Sequence, residues 1–583
     1  MSSTLNPDLT DAVAPDAFSP LNGGLRWHDS APRRVAGAGD WSNGSEGWKR
    51  WQKHLARRKR PQPIARLFRH HQLSPLPVEI RDGGDREDFE EALAAWLDLA
   101  ASQLSQLSIA EGAVALAREL PRLAKHLSAR LWWSTLDWLL QARLWAQDQR
   151  WDSEILAGQL LLTELPLTLA YLMPELDNCR ALVPGAIEHL RASMQELLDG
   201  QGLVHASHLN SFPSLVACWS RCRRLCASMD RAKWTGDMRR ELSAAVVHVL
   251  RLTRRNGSRS FDSVSPPTAS IDWLKDHDGI LVSRKAQRLA AFVLNGKEKT
   301  PTRMPPAADH SEWSEMAVMR NDWSSDSSRL IVDYGARRVR AEFAAGTEPL
   351  LSGLWNFEVR WNRNLLSAQT DWEQTCWESD KECDYLELET TLGHGVIVQR
   401  QFVLSRRDDI FVVADAVIAS EPGEIEYRAT FPLAAATRFE PAEETREGTL
   451  VGRKRRARVL PLALPEWRAD PRGSLQVVDG QLELAQSASH ARGLYAPLFF
   501  DLRPRRFGKR LTWRRLTVAE EHVVQGVDVA AGFRVHIGKE QWLIYRSLHQ
   551  GRSRTVLGHH LFSEYLVGRF TTEGTVEPVI EIE

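Results

Sequence analysis

Cysteine is scarce in this sequence, with six residues in a chain of 583. So few thiols in so long a chain cannot form the dense disulfide framework that stabilises small secreted domains. Cys218, Cys222 and Cys226 are spaced four residues apart, which places them along one side of a predicted helix as small core residues. We therefore predict no disulfide scaffold, and we expect no metal and no cofactor.

The sequence also lacks the segments that carry a chain into or across a membrane. Its first residues contain neither the basic region nor the apolar stretch of a secretory leader. No apolar run reaches about 18 residues, so we predict no membrane span and expect a cytoplasmic protein. The formal net charge is +0, which argues against a nucleic-acid partner held by bulk electrostatic attraction.

The composition is that of a globular chain with large cores, at 43% hydrophobic and 26% charged residues. The length is sufficient for two or more domains. Pattern and composition change along the chain and predict four regions. These are an irregular N-terminal arm over 1–60, a helical domain over 61–265, a linker over 266–312 and a β domain over 313–583.

Helical periodicity dominates the first half of the chain after the arm. Apolar residues recur at spacings of three and four, and an acidic first turn precedes the first helix. Pro166 should kink or divide the most apolar segment. The predicted helices begin near Asp85 and then span Leu116–Leu131, Trp132–Trp145, Leu156–Met173, Val183–Leu198, Phe212–Cys226, Arg239–Arg254 and Ser283–Leu294.

Strand-type segments replace helices from Trp313 onward. Antiparallel strands in this number predict a large β-sandwich. The predicted strands are Met316–Arg320, Arg329–Tyr334, Tyr385–Thr391, Val396–Leu404, Ile410–Ala416, Ile425–Phe431, Ser474–Leu484, His522–Val529, Phe533–Ile537 and Gln541–Arg546.

The stretch from Trp313 to Phe343 carries a recognisable pattern. A short strand ends in Arg320, Asn-Asp-Trp-Ser follows, and an apolar strand then ends in Asp-Tyr-Gly at 333–335. This order resembles the opening of the C-terminal sheet domain of heparinase II/III-like polysaccharide lyases. The resemblance covers about residues 85 to 583 and implies a multidomain α+β fold, with an N-terminal α/α toroid followed by an antiparallel β-sandwich. The family's histidine-rich motif is replaced here by arginines.

The family resemblance implies a substrate and a mechanism. Such lyases cleave uronic-acid polymers by β-elimination, in which one group neutralises the carboxylate, a base removes the C5 proton, and an acid protonates the departing oxygen. In Leu156–Glu175, Gln159 occupies the place of an Asn-Asn-His-like motif and could contact the carboxylate. Tyr171 is the candidate phenolic acid. The alternative interpretation of this segment is a plain buried helix.

A second candidate site follows an Asp-Gly turn in Leu197–Pro213. This segment resembles the family's loop before a helix with catalytic tyrosine or polar substrate contacts. His205 and His208 titrate near neutral pH, so either could act as base or acid, and Asn210 could contact the substrate. Alternatively, the two histidines cap the following helix.

A third candidate site lies after the Asp-Tyr-Gly strand. Arg338 and Arg340, with Trp355 beyond them, could hold an anionic sugar through paired hydrogen bonds and ring stacking. The alternating arginines equally fit the solvent-facing side of a sheet.

These observations leave two functional hypotheses. The first is a polysaccharide-lyase-like protein whose partner is an acidic polysaccharide or oligosaccharide, cleaved by β-elimination. The second is a glycan-binding or assembly protein that retains the lyase fold without its chemistry. A cleft in which His205, His208, Tyr171 and the arginines converge would favour the first hypothesis.

Overall fold

The computed structural model describes residues 24, 26–37, 40–57, 86–230, 232–254, 258–261, 284–295, 304–324, 327–335, 337–549 and 553–583. The chain divides into two compact units. The helical unit comprises residues 1–204, 208–249 and 268–291, and the β unit comprises 205–207, 250–267 and 292–583. Much of the predicted linker over 266–312 lies outside the described residues.

Helices account for nearly all the regular structure before Asp309. A π-helical turn, Leu160–Glu164, joins α6 to α7, and a 3₁₀ turn spans Ala206–His208. The α-helices are α1 (Arg33–Ala36), α2 (Glu46–Arg57), α3 (Arg86–Ala101), α4 (Leu107–Leu123), α5 (Ala129–Gln147), α6 (Ile155–Gln159), α7 (Leu165–Leu172), α8 (Asp177–Arg180), α9 (Leu182–Leu197), α10 (Phe212–Cys226), α11 (Gly236–Arg251) and α12 (Arg284–Asn295).

The continuous helix from Ile155 to Leu172 lies at the centre of the helical unit. Helices α4, α5, α9 and α10 all contact it, so nearly every side of it is buried. This segment is long and apolar enough to cross a membrane, but its burial within the described structure accounts for that apolarity. The π turn ends two residues before Pro166, which lacks an N–H and crowds the preceding turn. The predicted division of this helix is thus a change of hydrogen-bond register.

The N-terminal region is more regular than the predicted irregular arm. Helix α2 presents a strongly amphipathic face because Trp48, Trp51 and Leu55 recur at helical spacing. Its tryptophans pack against Trp132 and Trp133 of α5 in tilted, edge-on and stacked arrangements. Aromatic burial of this kind stabilises a helix that lacks strong intrinsic propensity. The predicted helix over Leu116–Leu131 was also misplaced, since α4 ends at Leu123 and α5 begins at Ala129.

All pairings among the described strands of the β unit are antiparallel, and the strands form four sheets. The first sheet has the order β1-β2-β3-β4-β5, and the largest runs β12-β13-β14-β16-β11-β10-β9-β8 with β15, β6 and β7 attached. The remaining sheets are β17-β20-β21-β24-β25 and β19-β18-β22-β23. The strands are β1 (Asp309–Ser311), β2 (Met316–Arg320), β3 (Ser328–Asp333), β4 (Arg340–Ala345), β5 (Glu348–Leu354), β6 (Asn356–Trp361), β7 (Asn364–Leu365), β8 (Glu373–Ser379), β9 (Cys383–Thr391), β10 (Ile397–Ser405), β11 (Ile410–Pro432), β12 (Arg438–Pro441), β13 (Gly448–Val451), β14 (Arg455–Pro461), β15 (Ser474–Val478), β16 (Gln481–Asp501), β17 (Leu511–Leu516), β18 (Val518–Glu520), β19 (Val523–Val524), β20 (Ala530–Ile537), β21 (Glu540–Ser547), β22 (Arg554–Val556), β23 (His559–Leu561), β24 (Tyr565–Phe570) and β25 (Val576–Ile582).

Both faces of the large sheet are buried. Along β11, Phe411 and Val413 belong to the core shared with the first sheet, whereas Ile410 and Val412 belong to the core shared with the β17–β25 sheet. Successive side chains of a strand point to opposite faces, so one apolar run supplies two cores. The predicted sequence of helices followed by antiparallel sheets is confirmed, while the toroidal arrangement of the helices stays a prediction.

Several strand predictions need correction. The predicted strands Ile410–Ala416 and Ile425–Phe431 are parts of a single strand, β11, whose register shifts near Gly423. The predicted strand Ser474–Leu484 is instead a hairpin, because Asp479 and Gly480 both take positive φ and form its turn. Within His522–Val529 only the two residues of β19 form a strand.

Candidate functional site

The β unit contains a surface turn that packs beside a hairpin turn. The backbone N–H of Ala206 donates to the carbonyl oxygen of Ser314, in the connection from β1 to β2, at 2.9 Å. Glu315 ends that connection with a positive φ of 53°, which is uncommon for a residue other than glycine. The two turns together fix the positions of His205 and Glu315 on one surface.

His205 is the predicted catalytic residue that these turns place against a carboxylate. Its Nε2 lies 3.3 Å from Glu315 Oε2, and its Nδ1 accepts a hydrogen bond from the Ser207 N–H at 3.2 Å. An acceptor at Nδ1 leaves the proton of the neutral ring on Nε2, facing Glu315. The half-exposed indole of Trp313 meets the imidazole edge-on at 5.7 Å. The His205 side chain remains 33% exposed, so a ligand can reach it.

The contact between His205 and the Ser207 hydroxyl, at 2.8 Å, is a feature of the local turn. The same arrangement occurs at His28, whose Nδ1 accepts from the Ser30 N–H at 3.0 Å and lies 2.6 Å from the Ser30 hydroxyl. Two occurrences of one His-x-Ser turn show that local sequence is enough to produce it. The hydroxyl contact is therefore no evidence that Ser207 is a nucleophile.

Gly335 allows the carboxylates of this surface to approach the backbone closely. A Cβ at this position would lie 2.8 Å from Glu315 Oε2, 3.1 Å from the Ala206 Cβ and 3.4 Å from Asp333 Oδ1. Steric crowding thus explains why glycine occupies position 335. A side chain there would displace the Glu315 carboxylate from its position beside His205.

The predicted substrate-binding arginines occupy different environments. Arg340 is anchored, since it donates to Asp333 at 3.0 Å and stacks over the Phe261 ring at 4.5 Å. Arg338 is exposed and forms no hydrogen bond or ion pair with the described residues. The guanidinium of Arg338 is consequently the one of the two that is available to an anionic ligand.

A second imidazole lies beneath this surface. His310 Nε2 is 3.0 Å from the Tyr334 hydroxyl, and the ring stacks on Trp377 at 5.0 Å. Burial lowers the pKa of His310 to about 4, so the ring is neutral near pH 7. Burial, assisted by Glu312 and Glu315, raises the pKa of Tyr334 above its usual range. A neutral, enclosed His–Tyr pair supports the surface above it.

Gln159 lies in the interior of the helical unit. Its side chain is 4% exposed, its Nε2 donates to Ser193 Oγ at 2.8 Å, and its Oε1 accepts from the Trp219 indole at 3.0 Å. Both ends of the amide are therefore occupied by the protein. The structure corrects the expected carboxylate contact, and the buried-helix alternative describes this segment.

The remaining candidates of the helical unit lie at or near its surface. Tyr171 is half-buried on α7, and His208 is half-buried at the end of the 3₁₀ turn. Asn210 is exposed. The carbonyl oxygen of His208 accepts from the Ser211 N–H at 3.0 Å, just before α10. The catalytic and binding roles of these three residues stay predictions.

Trp355 is part of the β core. It is 1% exposed and packs within 6.3 Å of the Phe402, Phe411 and Phe431 rings. An indole in this position cannot stack on a sugar, so the predicted substrate contact is corrected. Trp355 lies between β5 and β6, and both of its neighbours in sequence, Leu354 and Asn356, are exposed, so the local sequence does not indicate its burial.

Sequence reasoning missed the partners of His205. Glu315 and Trp313 both lie within the Trp313–Phe343 stretch, but the pattern was interpreted only as strands and a loop. Two charged residues and a tryptophan between short strands were the available signal, because loops carry functional side chains more often than strand interiors do. Within the described residues no group of three or more His, Cys, Asp or Glu side chains could hold a metal ion.

Comparison with known proteins identifies the architecture. No family model matches the sequence, and no curated protein matches it. Among solved structures, a heparinase III gene product superposes with a TM-score of 0.56 at 10% identity, over 86% of this chain and 90% of its own. The chain has a heparinase III-like fold. A second heparinase III gives 0.54 at 12% identity over 79% and 80% of the two chains.

Heparan sulfate lyase HepC from Pedobacter heparinus superposes with a TM-score of 0.53 at 11% identity, over 92% of this chain and 88% of that one. Identities this low establish a shared fold and do not transfer individual residues. The heparinase III-like fold agrees with the resemblance seen at Asp-Tyr-Gly 333–335.

Proposed function

We propose that this protein acts on acidic, uronate-containing polysaccharide by β-elimination, with His205 transferring the proton. The observation that carries this proposal is the accessible His205–Glu315 pair beside the half-exposed Trp313, on the β unit of a heparinase III-like fold. A tryptophan face offers an apolar platform to a sugar ring, and an imidazole beside it can accept or donate a proton.

We assign His205 the role of base. The Nε2 proton faces Glu315, so Nδ1 carries the lone pair that takes up the C5 proton of the uronate. The electron pair of the C–H bond then forms the C4–C5 double bond and expels the glycosidic oxygen, which must receive a proton. Glu315 stabilises the imidazolium so formed, as the carboxylate of a Ser-His-Asp triad does. Nδ1 is released for this step when the ring tilts away from the Ser207 N–H, whose 3.2 Å hydrogen bond is long.

The other roles follow the chemistry of the residues. Arg338 neutralises the substrate carboxylate, because its guanidinium is exposed and unpaired among the described residues. Tyr171, His208 and Asn210 of the helical unit keep the roles predicted from sequence, which are proton donor for the first two and sugar contact for Asn210. These assignments are part of the proposal and are supported by residue type and surface position alone.

A second candidate function is acidic-glycan binding without cleavage. The burial of Gln159 favours it, because an amide already bonded to Ser193 and Trp219 cannot neutralise a uronate. The Ser207 hydrogen bond at Nδ1 and the Glu315 contact at Nε2 of His205 favour it as well, since together they hold the ring in one orientation at rest.

Ultraviolet absorbance of the conjugated uronate product separates the two functions. Wild-type protein, His205→Gln and His208→Ala would be incubated with a panel of acidic polysaccharides. His394→Asn, a change at an exposed histidine in a Gly-His-Gly turn, is the matched control. We expect absorbance to rise with wild type and the control and to be lost with His205→Gln. No rise on any polymer, with binding retained in calorimetry, would replace the lyase proposal with the binding function.

A further inference from the structure

A groove of about 640 Å³ crosses the β unit and shares no residue with the His205 surface. One wall is the loop between β14 and β15, and the other is strand β17 with the start of β20. The middle of β16 forms the base. A volume of this size falls in the range of small-molecule binding sites.

The groove has an apolar floor and one exposed aromatic wall. Trp513 of β17 is buried, its indole N–H donates to the Leu464 carbonyl at 3.1 Å, and Tyr495 and Phe533 belong to the same apolar core. Trp467 is 54% exposed on the wall. Burying a tryptophan side chain stabilises a protein strongly, so an indole held open beside a groove is available for a ligand.

The backbone that presents Trp467 is fixed by several contacts. Trp467 forms an isolated bridge with Thr445, and the Arg446 N–H donates to the Glu466 carbonyl at 2.9 Å. The guanidinium of Arg446 also donates to the carbonyl oxygens of Asp470 and Gly473 in the same loop. The exposed indole is therefore held on a rigid segment, which lowers the entropic cost of binding.

The polar lining of the groove contains a buried acceptor without a donor. Gln486 donates from Nε2 to the Tyr495 carbonyl at 2.9 Å, whereas no donor among the described residues reaches its buried Oε1. Leaving a buried carbonyl unpaired costs about 1–3 kcal/mol, and a ligand hydroxyl would relieve that cost.

The rim of the groove is cationic. Arg515 is exposed and forms no ion pair with the described residues, whereas Arg472 pairs with Asp470 at 2.6 Å. The acidic groups of the lining are engaged: Glu466 accepts from the Thr512 hydroxyl at 3.1 Å, and Asp528 accepts from the Arg492 N–H at 3.3 Å. An unpaired guanidinium selects an anionic ligand.

We infer that this groove binds a segment of acidic oligosaccharide, as a second saccharide site. A sugar ring stacks on Trp467, a hydroxyl donates to Gln486 Oε1, and a carboxylate or sulfate pairs with Arg515. A peptide strand fits less well, because Arg514 and Arg515 place charge on β17, an edge strand, where charge discourages strand addition. The ligand class rests on the proposed function, but the site does not depend on catalysis.

Calorimetry on the full chain with a size-defined sulfated uronate oligosaccharide tests the site. The measurements use the His205→Gln background, so that the ligand is not cleaved, and add Trp467→Ala, Arg515→Ala or the control Trp313→Ala. We expect Trp467→Ala and Arg515→Ala each to weaken the groove's binding about tenfold. Trp313→Ala should leave the groove's affinity unchanged. A neutral oligosaccharide of equal length should bind the groove at least tenfold less tightly.

Unchanged affinity and stoichiometry in both Trp467→Ala and Arg515→Ala would reject the groove as a saccharide site, whether or not His205 is catalytic. If the neutral oligosaccharide bound as tightly as the acidic one, the proposal that the groove selects acidic ligands would be rejected. Loss of elimination in every assay, with binding still sensitive to Trp467→Ala, would reject the proposed lyase function and leave the groove intact. A β-strand peptide that competes with the saccharide would identify the site as a peptide groove instead.

Discussion

One close charge pair in the helical unit and one in the β unit differ in how far the protein buries them. In the helical unit, Glu164 on the central helix is buried and bonded to Arg118 at 2.9 Å and Arg221 at 2.7 Å. In the β unit, His205 and Glu315 also form a close pair, but each side chain is about one third exposed. The sealed pair of Glu164 with its arginines can only stabilise the fold, whereas the accessible His205–Glu315 pair can contact a ligand.

The difference follows from the number of elements around each pair. The central helix is contacted by α4, α5, α9 and α10, so any polar side chain on it must find its partner inside. Burial opposes ionisation of Glu164, but the guanidiniums of Arg221 and Arg118 outweigh it and hold the pKa of the carboxyl below its usual value. The turns around His205 lie at a sheet edge, where the polar side chains remain partly exposed to solvent.

Removing the sealed pair should cause the largest loss of stability of the changes considered. Glu164→Ala should lower the free energy of unfolding by about 3–5 kcal/mol, because Arg118 and Arg221 would keep buried, uncompensated charge. Urea denaturation followed by tryptophan fluorescence measures the change. Glu188→Ala, which removes the exposed partner of Arg191, should shift the midpoint little. Equal shifts in the two variants would mean that the Glu164 cluster is solvated.

The accessible pair should affect chemistry rather than folding. Glu315→Gln should reduce the rate of elimination about 10²-fold, since the imidazolium at His205 loses its counter-charge. The thermal midpoint should stay near that of wild type, because the side chain is partly exposed. Glu312→Gln, at an exposed carboxylate of the same turn, is the control. An equal loss of rate in both variants would point to a general charge effect and reject the specific pair.

A substitution at Gln159 tests whether this side chain stabilises the fold or contacts the substrate. Gln159→Leu should destabilise the protein by about 1–3 kcal/mol, because the Trp219 indole N–H would lose its acceptor and the Ser193 hydroxyl would lose its donor. Elimination by the folded variant should be unchanged. A folded Gln159→Leu protein with no activity would restore the carboxylate contact predicted from sequence.

Replacing His310 should have the smallest effect on thermal stability, and the size of that effect should depend on pH. Its pKa falls from an ordinary value of 6.5 to about 4 through burial, so the unfolded state binds more protons between those values. Stability should therefore rise as pH increases from 4 to 6.5 and be level above that range. The difference in thermal midpoint between wild type and His310→Phe, measured across this range, isolates the histidine. A difference that does not change with pH would contradict its neutral burial.

The order of elements could be predicted from sequence because it depends on periodicity. Helix α10 and strand β2 have the predicted bounds, since apolar spacing and turn residues determine both. The N-terminal helix α2 could not be predicted, because its stability comes from tryptophans packed against α5, far away in sequence. The hairpin at Asp479-Gly480 was missed although Asp-Gly is a strong turn signal.

The site was only partly predictable for a related reason. His205 was identified from its residue type and its place in a predicted loop, but its partner Glu315 is 110 residues later and reaches it through turn geometry. Trp355 and Gln159 looked like ligand contacts because residue type shows what a side chain can do and not whether the fold buries it. Burial is decided by packing between distant elements, which a single sequence does not contain.

Hydrogen–deuterium exchange with and without an acidic polysaccharide tests most directly whether the accessible surface of the β unit is the site of action. The His205→Gln protein would be used so that the polymer remains intact. We predict slower exchange at residues 205–207 and 313–315 on binding, with unchanged exchange at 155–164. Protection that omits both turns while the polymer is bound would contradict the account and place the interaction elsewhere on the protein.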